Sequence, residues 1–413
     1  MNVLKYQIDT AENRAFLKEA REALLAFGRQ FPSPGGSSWY LGDDGTPWKD
    51  RNRETFITCR MAHVYSLGHL LGFEGSEALV DAALRGLTGE LRDAAHGGWY
   101  TGLTPENEPM ADKLCYVHAF VILAASSALL IGRPGAEALL KEALAVYDRY
   151  FWDEAAGLSR DTWDTTFTRA DDYRGLNANM HSVEAFLAVA DVTGNEEYRA
   201  RSGRIIDRVL GWAAQNQWRL PEHFTKDWAP DLERNRDRLD DPFKPYGATP
   251  GHGIEWGRLI VQWALSTYPN DPGKAAPYIE SAERLFNRAV SDAWNSDGAP
   301  GIVYTTDWEG HPIVHDRMHW TLAEAIDTCS VLYRQTGKAE YAARYAEFMK
   351  YLDECVLDHV NGNWFHQLDR NNHVADTVWP GKMDIYHALQ ATLIPCYGAE
   401  ASIAVRIRDT GAC

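Results

Sequence analysis

The chain has 413 residues, an ordinary apolar fraction of 45% that allows a large core, and a net charge of −17. That acidity, with no basic patch to reverse it, argues against nucleic acid and other polyanionic partners. No run of about 18 apolar residues is present to cross a membrane, and the opening MNVLKYQIDTAENRAFLKEA lacks the apolar centre of a secretion signal, which predicts a cytoplasmic protein.

In chain order, short segments rich in glycine and aromatic residues recur: SSWYLGDDG, GGWYTGLTPEN, GLSRDTWDTT, PEHFTKDWAP, GIVYTTDWEG and NWFHQLDRNNH. Anchored at Trp39, Trp99, Ser159, His223, Val303 and Trp364, they lie 60, 60, 64, 80 and 61 residues apart. A period of about 60 residues suits two helices, a turn and a hairpin-like loop. Two kinds of helix fill the intervals. KAEYAARYAEFMKYLDECV is amphipathic, with Tyr341, Tyr345, Phe348 and Leu352 on one face. HSVEAFLAVADV (181–192) and YHALQATLIPCYG (386–398) are apolar nearly all round, as expected of helices packed on both sides. The contrast predicts an all-α closed toroid, a six-hairpin (α/α)6 barrel with β-hairpin-like loops at one rim, forming one domain over residues 1–413. Those loops would line a central cleft. Cysteines 59, 115, 329, 355, 396 and 413 are scattered without a CxxC pair, which predicts reduced thiols rather than bridges or zinc. Nothing in the pattern sets monomer against homo-oligomer.

Titratable groups recur near the starts of the apolar helices. In TPGHGIEWGRL (249–259), Thr249 suits an N-cap, Pro250 suits the first turn, and His252 and Glu255 share a face. His181 and Glu184 repeat that spacing in NANMHSVEAF, as do His387 and Gln390 in DIYHALQAT and Arg60 and His63 in TCRMAHVYS. Buried polar groups are costly unless paired or used, and in a toroid equivalent positions point to one axis. Gly251 and Gly253 are expected to clear space beside His252 for a ligand. Three chemistries fit such a cluster: a divalent metal on the His/Glu pairs, glycoside hydrolysis by Glu184 and Glu255, or proton transfer on a sugar by neutral histidines whose tautomers are fixed by carboxylates. Taken singly, His63, His118, His181 and His252 read equally well as hydrogen-bonded core histidines, and Tyr116, Trp320 and Trp379 as core aromatics.

Together, RMAHVYSL, GGWY, YRGLNANMHSVEAFL, TPGHGIEWGRL, GIVYTTDWEG and VWPGKMDIYH resemble, in order from about residue 37 to residue 395, the N-acylglucosamine 2-epimerase superfamily in its aldose–ketose isomerase branch. The resemblance implies an (α/α)6 barrel, a monosaccharide substrate and proton transfer with no metal or other cofactor. It implies that His387 and His252 are the acid/base histidines, that Glu255 orients His252, and that His181 is a third active-site histidine. It further implies substrate contacts from Arg60, Tyr116, Asn177, His366 and Trp379. The activity implied is D-mannose to D-fructose isomerisation, with D-lyxose as a related substrate; sulfoquinovose isomerisation and sugar 2-epimerisation are the alternatives. Pro242, Lys244, His366 and Met383 stand where the sulfosugar branch carries arginines and glutamines, which favours a neutral hexose.

Overall fold

The structure is a computed structural model and describes residues 3–411. Among them are thirteen α-helices: α1 (Ala11–Phe27), α2 (Thr55–Leu70), α3 (Ser76–Thr88), α4 (Cys115–Leu130), α5 (Ala136–Tyr150), α6 (Leu176–Thr193), α7 (Glu196–Gln215), α8 (Pro250–Thr267), α9 (Pro272–Ala293), α10 (His319–Thr336), α11 (Ala339–Tyr351), α12 (Tyr386–Tyr397) and α13 (Ile403–Thr410). The even-numbered helices form an inner ring, each touching the next and α12 returning to α2. The odd-numbered helices α1 to α11 pack outside it. This is the (α/α)6 barrel expected from the repeat.

Helix composition explains which layer each occupies. In α4, every residue from Val117 to Ala128 is buried, because the ring encloses it from both sides. In α11, burial falls on Tyr341, Tyr345, Phe348 and Met349, one stripe at helical spacing, while the other face meets solvent. One hydrophobic cluster runs through all the helix pairs. Cys59, Cys115 and Cys329 are buried thiols without disulfides; Cys413 lies outside the described residues.

Short antiparallel strand pairs stitch the rim at the N-terminal ends of the inner helices. Arg53–Glu54, before α2, pairs with Gly102–Leu103, and Lys113–Leu114, before α4, with Thr162–Trp163. Arg174–Gly175, before α6, pairs with His223–Phe224, and Arg317–Met318, before α10, with Gln367–Leu368. Before α8 the pairing shrinks to one bridge, Ala248 with Thr306. Before α12 the Lys382 N–H donates to the Leu41 carbonyl at 3.0 Å, which closes the circle. Each loop is thereby tied to the start of a neighbouring inner helix, and the first turns of all six are held in register.

Buried ion pairs reinforce the same rim. Asp93 accepts backbone N–H bonds from Ala95 and His96 and holds Lys113 Nζ at 2.8 Å. Asp358 does the same with Val360, Asn361 and Lys382. Lys113 and Lys382 stand just upstream of α4 and α12, so these pairs anchor the chain as it enters the barrel. The 80-residue spacing in the repeat marks a longer connection between His223 and α8. That segment brings Pro242 and Phe243 over the axis, where Phe243 meets Phe56, Tyr116 and Trp379 edge-on.

Candidate active site

The stitched rim surrounds a pocket on the barrel axis. All six inner helices contribute: Arg60 from α2, Tyr116 from α4, Asn177 and His181 from α6, His252 and Glu255 from α8, His319 and Trp320 from α10, and His387 from α12. Phe56, Pro242, Phe243, Tyr304, Trp379 and Met383 complete its wall. Eight of the nine residues singled out from sequence therefore meet in one pocket, counting Arg60, Tyr116, Asn177, His181, His252, Glu255, Trp379 and His387. His366 does not line it. Its ring stacks flat behind His319, with centroids 3.8 Å apart.

His387 sits in the first turn of α12 with both ring nitrogens placed. Nδ1 lies 3.0 Å from Glu324 Oε1 and Nε2 lies 3.5 Å from Arg60 Nη2. A carboxylate beside Nδ1 selects the tautomer protonated there, which leaves the Nε2 lone pair directed at Arg60. Burial drives the His387 pKa well below the ordinary 6.5, and the nearby Arg60 and His319 push the same way. The imidazole is thus neutral at physiological pH. Arg60 is itself held by Asp384, 2.9 Å from Nη1, and donates to Tyr116 Oη at 3.0 Å. Burial would raise the Asp384 pKa, but Arg60 holds it below the usual carboxylate value.

His252 and Glu255 share a helix but not a hydrogen bond. Glu222, in the loop before α8, faces His252 Nδ1 at 3.0 Å, so the orienting role expected of Glu255 falls to Glu222. Glu255 turns instead toward a buried charge cluster. Arg258 Nε donates to Glu324 Oε2 at 2.8 Å, and Arg258 Nη2 lies 3.3 Å from Glu324 Oε1 and 3.7 Å from Glu255 Oε1. Ligand-type atoms of Glu255, Glu324 and His387 lie within 4.8 Å of one another, as in a metal site. The Arg258 guanidinium against both carboxylates opposes a divalent cation there.

The pair His181 and Glu184 forms as its spacing predicts, with Nδ1 3.3 Å from Oε2. Tyr386 and Gln390 also donate to Glu184, so α12 and α6 are joined below the pocket. Burial lowers the pKa of His181. His63 points the other way, bonding Ser127 at 2.7 Å and lining a second cavity under α13. His118 is a core histidine: it pairs with the Leu114 carbonyl at 2.7 Å and accepts from the Trp99 N–H at 3.2 Å.

Glu222, His319, Glu324, Arg258 and Asp384 escape the sequence reading. Glu324 and Asp327 could have been found by the rule that singled out His181, because they interrupt an otherwise apolar inner helix, HWTLAEAIDTCSV. Glu222 carries no comparable signal, since it meets His252 across 30 positions of irregular chain.

The glycines beside His252 have a different reason from the one expected. A methyl group on Gly251 would meet Thr321 Cγ2 at 2.6 Å and the Trp320 ring at 2.7 Å, whereas one on Gly253 would meet only Ala289 Cβ at 3.5 Å. Gly251 allows α8 to approach α10, and Gly253 faces the outer helix α9. Gly251→Ala is expected to destabilise the fold by roughly 1–3 kcal/mol through overpacking. Gly253→Ala is expected to be neutral or to stabilise by up to about 1 kcal/mol through helix propensity. Urea unfolding of the two variants reads the contrast, and equal losses would contradict it.

Comparison with known proteins places this geometry among sugar enzymes. The chain is 41% identical over 367 residues to a D-mannose isomerase of Pseudomonas cannabina pv. alisalensis, covering 88% of each chain. It is also 41% identical to a D-mannose isomerase of Thermobifida fusca, covering 97% of this chain and 98% of that one. A crystal structure of a D-mannose isomerase superposes with a TM-score of 0.84 at 26% identity, covering 96% of this chain and 98% of the other. The profile of the N-acylglucosamine 2-epimerase (GlcNAc 2-epimerase) family matches residues 35–391, the span that carries inner helices α2 to α10, the first part of α12 and every pocket residue, and the chain belongs to that family.

Proposed function

We propose that this protein is an aldose–ketose isomerase that interconverts D-mannose and D-fructose through a cis-enediolate. The observation that carries this reading is His387: a neutral imidazole with its Nδ1 held by Glu324 and its Nε2 beside Arg60 at the pocket wall. Such a group can take a proton from carbon and give it back. In the open-chain aldose, the C2–H bond breaks as Nε2–H forms, the electron pair becomes the C1–C2 double bond, and the C1=O1 pair moves onto O1 as the enediolate charge. The Nε2 proton then passes to C1 while the O2 proton moves to O1, and C2 becomes the ketone. Glu324 stabilises the transient imidazolium, and Arg60, fixed by Asp384, stabilises charge developing on the enediolate oxygens. His252, oriented by Glu222, moves the proton at the ring oxygen during opening. His181, Tyr116, Asn177 and Trp379 position the sugar, and His366 backs His319.

The pocket wall favours a neutral hexose over a sulfonate. Among the described lining residues the only lysine or arginine is Arg60, already paired with Asp384. Pro242 and Met383 are uncharged, and Lys244 Nζ lies over the Tyr173 ring at 4.0 Å rather than in this pocket. D-lyxose, which shares the reacting end of mannose, is the expected side substrate. We further propose that residues 1–413 form one catalytic domain, that the reaction needs no metal, and that the enzyme works in the cytoplasm; no helix among the described residues is long and apolar enough to cross a membrane. NMR of mannose, glucose, fructose and sulfoquinovose incubated with chelator-treated enzyme tests the reading. Mannose and fructose should interconvert. Glucose formed from mannose would instead identify a 2-epimerase, and turnover restored only by a divalent ion would identify a metal enzyme.

A further inference from the structure

Glu255 is left without the partner its sequence position suggests, and its surroundings give it another task. It lines the pocket floor, 1% exposed, and its Oε1 has no hydrogen-bond partner among the described residues. Two buried carboxyl groups, from Glu255 and Glu324, face one guanidinium, that of Arg258, and a third, Asp327, is buried one turn beyond Glu324 on α10. The fork of Arg258 is taken by Glu324, through Nε and Nη2. Glu184, the next carboxylate, has its own donors in His181, Tyr386 and Gln390. One cation cannot keep three adjacent buried carboxyls ionised, because each extra charge is desolvated and repelled by its neighbours.

We propose that Glu255 works as a neutral carboxylic acid, keeping its proton throughout the reaction and donating a hydrogen bond to a substrate oxygen as negative charge builds on the enediolate. Glu324 is then the ionised member, matched to Arg258 and His387, and Glu255 the uncharged one. Burial and the adjacent Glu324 carboxylate both raise the Glu255 pKa well above the usual carboxylate value. The assignment divides the stabilisation of the enediolate between a charged donor, Arg60, and a neutral donor on the opposite helix of the ring. A carboxylic acid held neutral at physiological pH is a strong donor in a water-excluded pocket, and its loss costs the transition state more than the ground state.

This inference rests on the isomerase reading and can fail separately from it. Glu255→Ala, which removes the donor, is expected to lower kcat/KM for mannose by about 10²–10³-fold, whereas Glu255→Gln, which keeps a neutral donor, is expected to lose no more than about tenfold. Far-UV circular dichroism and thermal unfolding establish that both variants fold. Infrared difference spectra of wild type against Glu255→Gln at neutral pH should show a protonated carboxyl band present only in the wild type. A folded Glu255→Gln as inactive as Glu255→Ala would overturn the proposal, as would a carboxylate band in place of the protonated one. Absence of mannose turnover in the wild type would instead sink the isomerase reading, and the infrared spectrum would still report on Glu255.

Discussion

Replacing His387 with asparagine is expected to lower mannose turnover by about 10⁴-fold, the upper range for removal of a general base. The asparagine amide can still donate to Glu324, so the buried carboxylate keeps a partner and the fold is expected to survive. The wild-type pH profile follows from the same environment. A histidine whose pKa lies below 6.5 supplies its basic form above that lowered pKa and loses it as pH falls through it. The acid limb of kcat/KM attributable to this group should therefore lie below pH 6.5, leaving the base fully available at neutral pH. Undiminished turnover in folded His387→Asn would remove His387 from the role of base.

Glu324→Gln is expected to produce the second large loss, about 10³-fold or more, because it strips the imidazolium of its counter-charge and frees the choice of tautomer. It also removes the bidentate partner of Arg258, buried at 2% exposure. Breaking a buried ion pair typically costs about 3–5 kcal/mol. The loss here should fall near the lower end, because Glu255, 3.7 Å from Arg258, can ionise and replace Glu324 as counter-ion. Replacing both partners, Arg258→Met with Glu324→Leu, should restore stability without restoring activity, since it removes the unpaired charge but not the need of His387 for a carboxylate. Urea unfolding and steady-state kinetics separate the two effects. Activity recovered along with stability would mean that Glu324 serves only the fold.

The ring of helices was legible because a period of about 60 residues and a two-way split in helix amphipathicity are properties of sequence alone. The convergence of His181, His252 and His387 followed from that symmetry, since equivalent positions on inner helices face one axis. Pairing within the site was less legible. His181 meets Glu184 at the spacing of three that also joins His252 to Glu255, yet His252 turns to Glu222. Helical spacing places two residues on one face but does not decide which rotamer each adopts against a neighbouring element. The Glu324 partner of His387 comes from the adjacent inner helix, 63 positions away. Gly251 misled for a related reason: a missing side chain can make room for a ligand or for another helix, and only the position of Trp320 distinguishes them.

The most direct test of the central claim, that one histidine carries a proton between neighbouring carbons on one face of the enediolate, is the fate of hydrogen at carbon 1. Mannose deuterated at carbon 2 and turned over in deuterium oxide should yield fructose in which the deuterium delivered to carbon 1, whether transferred from carbon 2 or exchanged from solvent, occupies only one of the two C1 positions by NMR. Delivery to both positions, or glucose as the product, would contradict the account.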